Sequence, residues 1–250
     1  KDNSAVVAIG SRGQWQIINS TNYYRNYYGS TRESFNASAA FFLNINVGYI
    51  IGKDGNSEGR LRKTTDHGTT WTESTVSDQK LDAIYFLNTY NGWISANKKL
   101  YSTTDGSNSW SMKENSQLPG GINAIYFINN QRGLITSSNV VYRTTDGGNN
   151  WLGVGYAPSS LTEIKFKNEV EGYAIGSSGT MLHTIDGGNN WFSVNFPGYN
   201  DLISFGWSSN DNPYVSYVTG KLYRIQQRKV NLITPVMNAQ IADGRQFKIT

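Results

Sequence analysis

A six-bladed, all-β propeller of four-stranded antiparallel blades is the fold this sequence predicts. An eight-residue stretch recurs about every 40 residues, and a second motif runs in phase with it. The composition suits short strands joined by tight turns. The recurring stretch reads TTDHGTTW at Thr64 to Trp71, TTDGSNSW at Thr103 to Trp110, TTDGGNNW at Thr144 to Trp151 and TIDGGNNW at Thr184 to Trp191. Its aspartates, Asp66, Asp105, Asp146 and Asp186, are 39, 41 and 40 residues apart, a period that marks a propeller or solenoid.

The second motif is a strand-like run ending in Phe, with Asn two residues on and Gly four further. It is carried by Phe42/Asn44/Gly48, Phe86/Asn88/Gly92, Phe127/Asn129/Gly133 and Phe166/Asn168/Gly172. Each unit then reads as four strands: a runs into the Phe, b follows the Gly, c runs into the Asp stretch and d opens at the Trp. Four strands per repeat make a propeller blade. With 26 Gly, 16 Tyr and 16% charged residues, the composition agrees, and no stretch sustains a 3.6-residue apolar period.

The ends complete the expected count. IGSRGQWQIINSTNYYR from Ile9 aligns without a gap on IGSSGTMLHTIDGGNNW from Ile175, so the chain begins at strand b of a blade. That alignment puts Tyr23 to Tyr28 on an outer strand d, with Arg25 at the Trp position. Towards the C-terminus Gly220 matches Gly179, Leu232 takes the Trp position and Phe247 follows at strand-a spacing. A strand a near Phe247 would close the first blade, and an unboxed blade around Phe205 brings the total to six. Both ends meeting in one blade would leave no free sheet edge, so residues 1–250 are expected to form a single domain.

The stretch T-x-D-x-G-x-x-W between strands c and d resembles the Asp-box of BNR-type propellers. Taken whole, the chain resembles the propellers similar to photosystem II assembly factors of bacterial secreted proteins. The resemblance implies an extracytoplasmic module that docks a protein partner. Sialidases and some endoglucanases share the box, so a carbohydrate-binding or carbohydrate-cleaving propeller is the alternative. The box aspartates and tryptophans are expected to be structural: Asp66, Trp71, Asp105, Trp110, Asp146, Trp151, Asp186 and Trp191. Each aspartate can accept from its own turn, the glycines permit positive φ, and the Trp can pack between blades.

Composition removes several chemistries. There is no cysteine, and histidine is limited to His67 and His183, which argues against zinc, iron and thiol sites. One carboxylate per box is too few for a calcium loop, so no metal or cofactor is expected. The net charge of +4 comes without a dense basic run, so no nucleic acid is expected. No apolar run is long enough to span a bilayer, and a monomer is expected.

In propellers the d-to-a and b-to-c connections share the face that usually binds. On it the sequence places the candidate binding residues Arg12, Arg32, Lys53, Arg60 and Lys98, interspersed with acids, a mixture suited to a protein or glycan contact. GKDGNSEGR, with Lys53, Asp54, Glu58 and Arg60, is an insertion: Gly48 to Asp66 spans 18 residues where later repeats use 13 or 14. It is long enough to overhang a channel mouth. No acid stands in a recognisable catalytic motif. A Ser/His/Asp site would have to use His67 or His183 beside the boxes, so no catalytic residue is assigned.

Overall fold

The computed structural model describes residues 6–9, 15–18, 35–44, 46–113, 118–194, 200–207, 213–218 and 222–225. Four sheets are complete four-stranded antiparallel blades. The first joins β3 (Asn36–Phe42), β4 (Gly48–Lys53), β5 (Gly59–Thr64) and β6 (Thr72–Ser77). The second joins β7 (Ala83–Phe86), β8 (Gly92–Ala96), β9 (Lys99–Thr103) and β10 (Ser111–Lys113). The third runs β11 (Ile122–Phe127), β12 (Gly133–Ser137), β13 (Val140–Thr144) and β14 (Leu152–Tyr156). The fourth runs β15 (Leu161–Phe166), β16 (Gly172–Gly176), β17 (Met181–Thr184) and β18 (Phe192–Ser193).

The expectation of six four-stranded blades is corrected. Beyond the four, the described residues form a three-stranded sheet, β19 (Leu202–Trp207), β20 (Pro213–Tyr217) and β21 (Leu222–Arg224), and a two-stranded sheet, β1 (Val6–Ile9) with β2 (Trp15–Ile18). The full blades are those that carry both motifs. No box follows β2 or β21, and no fourth strand is described after either. The closing strand at Phe247 and the outer strand at Tyr23 to Tyr28 lie outside the described residues. The gapless alignment does locate the first hairpin: Val6 pairs with Ile18 and Ile9 with Trp15, matching Gly172 with Thr184 and Ile175 with Met181.

The Phe and Gly of the second motif are cross-strand partners: Phe42 with Gly48, Phe86 with Gly92, Phe127 with Gly133 and Phe166 with Gly172. The Phe ring lies flat over the glycine, where a Cβ at Gly133 would come within 2.5 Å of the Phe127 ring. In the three-stranded sheet the register puts Trp207, not Phe205, at this position, opposite Pro213.

The core lies between consecutive blades. Tyr49, Ile51 and Leu61 pack on Leu81, Ile84 and Phe86 of the next blade, and Trp93 and Leu100 pack on Ile122, Ile125 and Phe127. The same order continues with Leu134 and Val141 against Leu161 and Ile164, then Tyr173 and Ile175 against Leu202 and Phe205. In the first two full blades the residue after the motif Gly stacks on the motif Phe of the next blade. Tyr49 stacks on Phe86 at 4.0 Å and Trp93 on Phe127 at 3.6 Å between ring centroids. Each such ring buries enough apolar surface for about 2–3 kcal/mol.

Candidate functional site: the central channel

The two faces of the propeller do different things, and the turn face explains why the boxes recur. In the third blade Thr144 Oγ1 donates to Asp146 Oδ1 (2.8 Å) and accepts from Gly148 N (3.0 Å). Asp146 Oδ1 accepts from Asn149 N and Asn150 N (3.0 and 2.9 Å), and Oδ2 from Asn150 Nδ2 (2.7 Å). Trp151 closes the turn by donating from Nε1 to Gly148 O (3.1 Å), with its ring edge-on to Phe127 of its own blade. Asp66, Asp105 and Asp186 repeat the arrangement, Trp71 closes its turn as Trp151 does, and Trp110 and Trp191 stand edge-on to Phe86 and Phe166. Hydrogen bonds to the ionised form, foremost from Thr70, Ser109 and Asn150, hold Asp66, Asp105 and Asp146 down at about 2. Asp186 is also lowered, although burial opposes the shift.

The Asn of the second motif has a role that its spacing alone did not disclose. Asn129 Oδ1 accepts from Gln131 N and Arg132 N, turning the chain from strand a to strand b, and Asn44, Asn88 and Asn168 do the same. A box amide then donates to this turn, as Gly147 N does to Gln131 O (2.9 Å) and Gly187 N to Val170 O (2.9 Å). Lys63 Nζ reaches the next blade's box at Gly106 O (2.7 Å), and Arg143 reaches Asn189. A hollow of about 410 Å³ on this face is lined by Leu87, Asn88 and Asn129 to Arg132, but the side-chain oxygens of both motif asparagines are spent inside their turns.

The innermost strands β3, β7, β11 and β15, with Trp207 of β19, line a cavity of about 440 Å³. Side chains alternate along these strands, so the residue before each motif Phe faces the channel when the Phe faces the core. Those residues are Phe41, Tyr85, Tyr126 and Lys165. Phe41 meets Tyr85 edge-on at 5.4 Å, and Tyr85 meets Tyr126 at 5.2 Å, so three blades build one aromatic wall. Two residues earlier stand Ala39, Ala83, Ala124 and Glu163, three small side chains and one acid. Burial raises the pKa of both tyrosines, so they are neutral at physiological pH.

The charges around the cavity are internally matched. Lys165 Nζ lies 2.5 Å from Glu163 Oε1 and donates to Phe205 O (2.8 Å), while Glu163 Oε2 accepts from Phe205 N (2.7 Å). Asp82 pairs with Lys80 (3.2 Å) and accepts from Asn97 N (2.9 Å). The polar residues at the mouth tie neighbouring blades together. Ser38 donates to Leu81 O, and Asn123 Nδ2 to Leu161 O (2.9 Å). Asp82 cannot donate, and Ser95 supplies the equivalent bond to Ile122 O (3.1 Å).

Of the candidate binding residues, the three described, Lys53, Arg60 and Lys98, do not line the channel cavity. Arg12 and Arg32 lie outside the described residues. Lys53 ends β4, half-buried, and Lys98 is exposed on the β8–β9 turn; neither has an ion-pair partner among the described residues. Arg60 is engaged by its own loop, 2.8 Å from Asp54 Oδ2 and 2.8 Å from Glu58 Oε2. The added residues do not overhang the channel. They lengthen the β4–β5 ladder to Lys53 paired with Gly59, and Asp54 Oδ1 caps the tip by accepting from Asn56 N and Glu58 N. His67 sits in the first box at φ 63°, and His183 stacks on Tyr173 at 4.2 Å with Nε2 3.5 Å from Glu171 Oε1. Burial lowers the His183 pKa against the pull of Glu171. Among the described residues no group of three His, Asp or Glu could hold a metal ion, and no helix is long and apolar enough to cross a membrane.

The Phe motif by its spacing does not disclose the channel residues, which stand one position before each Phe. A signal was present: the position before the Phe reads Phe, Tyr, Tyr, Lys across the repeats.

Residues 32–155 match the family model of the photosynthesis system II assembly factor YCF48. No curated protein matches the chain in sequence. Among solved structures, YCF48 bound to D1 peptide is similar with a TM-score of 0.63 and 22% identity, over 78% of this chain and 66% of that one. This chain thus spans just under two thirds of that protein's length. YCF48 from Cyanidioschyzon merolae follows at a TM-score of 0.62 and 18% identity, over 79% of this chain and 69% of that one. The GH74 enzyme of Niastella koreensis shares the fold at 0.57 and 18% identity, over 72% of this chain but 33% of its own. Motifs, blade architecture and the family model matched over residues 32–155 together support a BNR-type β-propeller similar to the photosystem II assembly factor-like propellers.

Proposed function

We propose that this propeller is a non-catalytic, extracytoplasmic docking module that engages a protein partner at the mouth of its central channel. The observation that carries the reading is the state of the channel charges. A glycosidase needs two carboxylates free to face each other across a scissile bond. Here Glu163 is held by Lys165 and the Phe205 amide, and Asp82 by Lys80 and the Asn97 amide. The YCF48 structure in complex with a D1 peptide supports a polypeptide as the class of ligand. The aromatic wall of Phe41, Tyr85 and Tyr126 favours a second reading, a glycan-binding propeller, because sugar rings also stack on such surfaces.

A photo-cross-linking residue in place of Asn123, at the channel mouth, separates the two. Activated in the native envelope, it should yield a discrete polypeptide adduct, while polysaccharides incubated with the purified protein stay unbound and uncleaved. Retention or release of sugar, with no polypeptide adduct, would sink the docking reading.

A further inference from the structure

We infer that the channel selects an uncharged, bulky apolar side chain, aromatic or long aliphatic, presented by an extended peptide segment. The inference rests on the docking reading above and names the chemistry recognised there. Three features of the cavity lead to it. The wall facing the incoming group is aromatic on three successive blades, Phe41, Tyr85 and Tyr126. The positions two residues earlier on those strands are Ala39, Ala83 and Ala124, so the room in front of the rings comes from small side chains at one register. A volume of about 440 Å³ admits a large side chain and part of its backbone.

The polar inventory decides against a charged group. The charges in the lining, Lys165, Glu163 and Asp82, are each neutralised by a neighbour, so an incoming carboxylate or ammonium would lose its water without meeting an unpaired opposite charge there; Glu169, whose charge acts on Tyr126, stands outside the lining. In contrast, Tyr85 and Tyr126 line the cavity and their hydroxyls have no hydrogen-bond partner among the described residues. Neutral phenols donate and accept, which suits the C=O and N–H of a peptide backbone. An apolar side chain against the rings, with its backbone at the phenol oxygens, uses both phenols, and the unpartnered Trp207 Nε1–H in the same lining is a further donor for a backbone C=O.

The test uses the full chain and the probes acetyl-Gly-Ser-X-Ser-Gly-amide with X as Phe, Leu, Asp or Lys. Binding is followed by the ring NMR signals of Tyr85 and Tyr126. The Phe and Leu peptides should shift both tyrosines and bind at least about tenfold more tightly than the Asp and Lys peptides. Ala124→Leu should abolish the shifts by filling the cavity, with Ala39→Leu as the second variant should the first fail to melt cooperatively. Equal binding of the charged peptides, or unchanged Phe-peptide binding by a folded variant, overturns the inference. If these peptides are silent while a native partner still cross-links to the protein, the inference falls and the docking reading stands. Tyrosine shifts with cellotetraose and with none of the peptides would overturn both.

Discussion

The turn face and the channel are built from the same repeat, yet they vary in opposite ways. On the turn face the four full blades carry a Thr, an Asp and a Trp at matching positions, and the Asp and Thr oxygens bond inside the turn. In the channel the equivalent positions read Phe41, Tyr85, Tyr126 and Lys165, then Ala39, Ala83, Ala124 and Glu163. Where the blades agree, the chemistry is consumed in holding the fold. Where they differ, a cavity with two unpaired phenols is left. In a repeat protein the recurring residues therefore locate the scaffold, and the departures point to the candidate site.

The comparison can be tested most severely at the glycines under the motif Phe rings. Gly133→Ala should lower stability by about 1–3 kcal/mol, because its Cβ would press into a buried ring. Gly206→Ala is the control: it sits in a strand with nothing within 4 Å of the new Cβ, and urea unfolding should move it by less than about 0.5 kcal/mol. A next and smaller effect is expected for Asp146→Ala. Losing the oxygens that cap its turn should cost about 1–2 kcal/mol, by analogy with a helix N-cap, and leave peptide binding in the channel unchanged. Loss of binding in a folded Asp146→Ala protein would erase the division between scaffold face and site.

Acid should reveal the same division. Asp66, Asp105 and Asp146 titrate in the folded protein at about 2, below the ordinary value of 3.8. Folded values below unfolded ones mean that the stabilisation is complete above the ordinary aspartate range and is lost as the pH falls through it towards 2. Melting temperature should therefore be level near neutrality and drop steeply at the acid end, and Asp146→Asn should flatten part of that drop. Ser107 holds a glycine position at φ 77°, so Ser107→Gly should stabilise by up to about 1 kcal/mol. Smallest of all, Arg60→Ala should change stability by less than about 1 kcal/mol and leave channel binding intact, since its partners are Asp54 and Glu58 of its own loop and Thr75 on the adjacent strand, none of which lines the cavity.

Much of this architecture was legible in the sequence because the blade repeats its own constraints. The Phe–Gly pair locates a ring over a glycine, and the Thr–Asp–Trp spacing locates a self-closing turn, so strands a to d of four blades fall where the spacing puts them. Counting blades from partial matches overreached. The sheet of β19 to β21 and the hairpin of β1 and β2 align with blade segments but have no box to turn strand c into strand d. The candidate cations fared differently for another reason. Charge and position along the chain do not say whether a side chain is already paired, and Arg60 is.

By itself the sequence determined the local grammar: period, strand order, turn chemistry and the absence of thiol chemistry. These depend on residues close together in the chain, where steric and hydrogen-bonding rules act at fixed spacing. Only the tertiary structure decided which side chains meet across blades. The stacking of Tyr49 on Phe86, the bonding of Lys165 and Glu163 to the Phe205 backbone and the convergence of Phe41, Tyr85 and Tyr126 all depend on how the blades pack around one axis. Distances across that axis join residues some 40 positions apart, and spacing along the chain does not encode which way their side chains face until the sheets are packed.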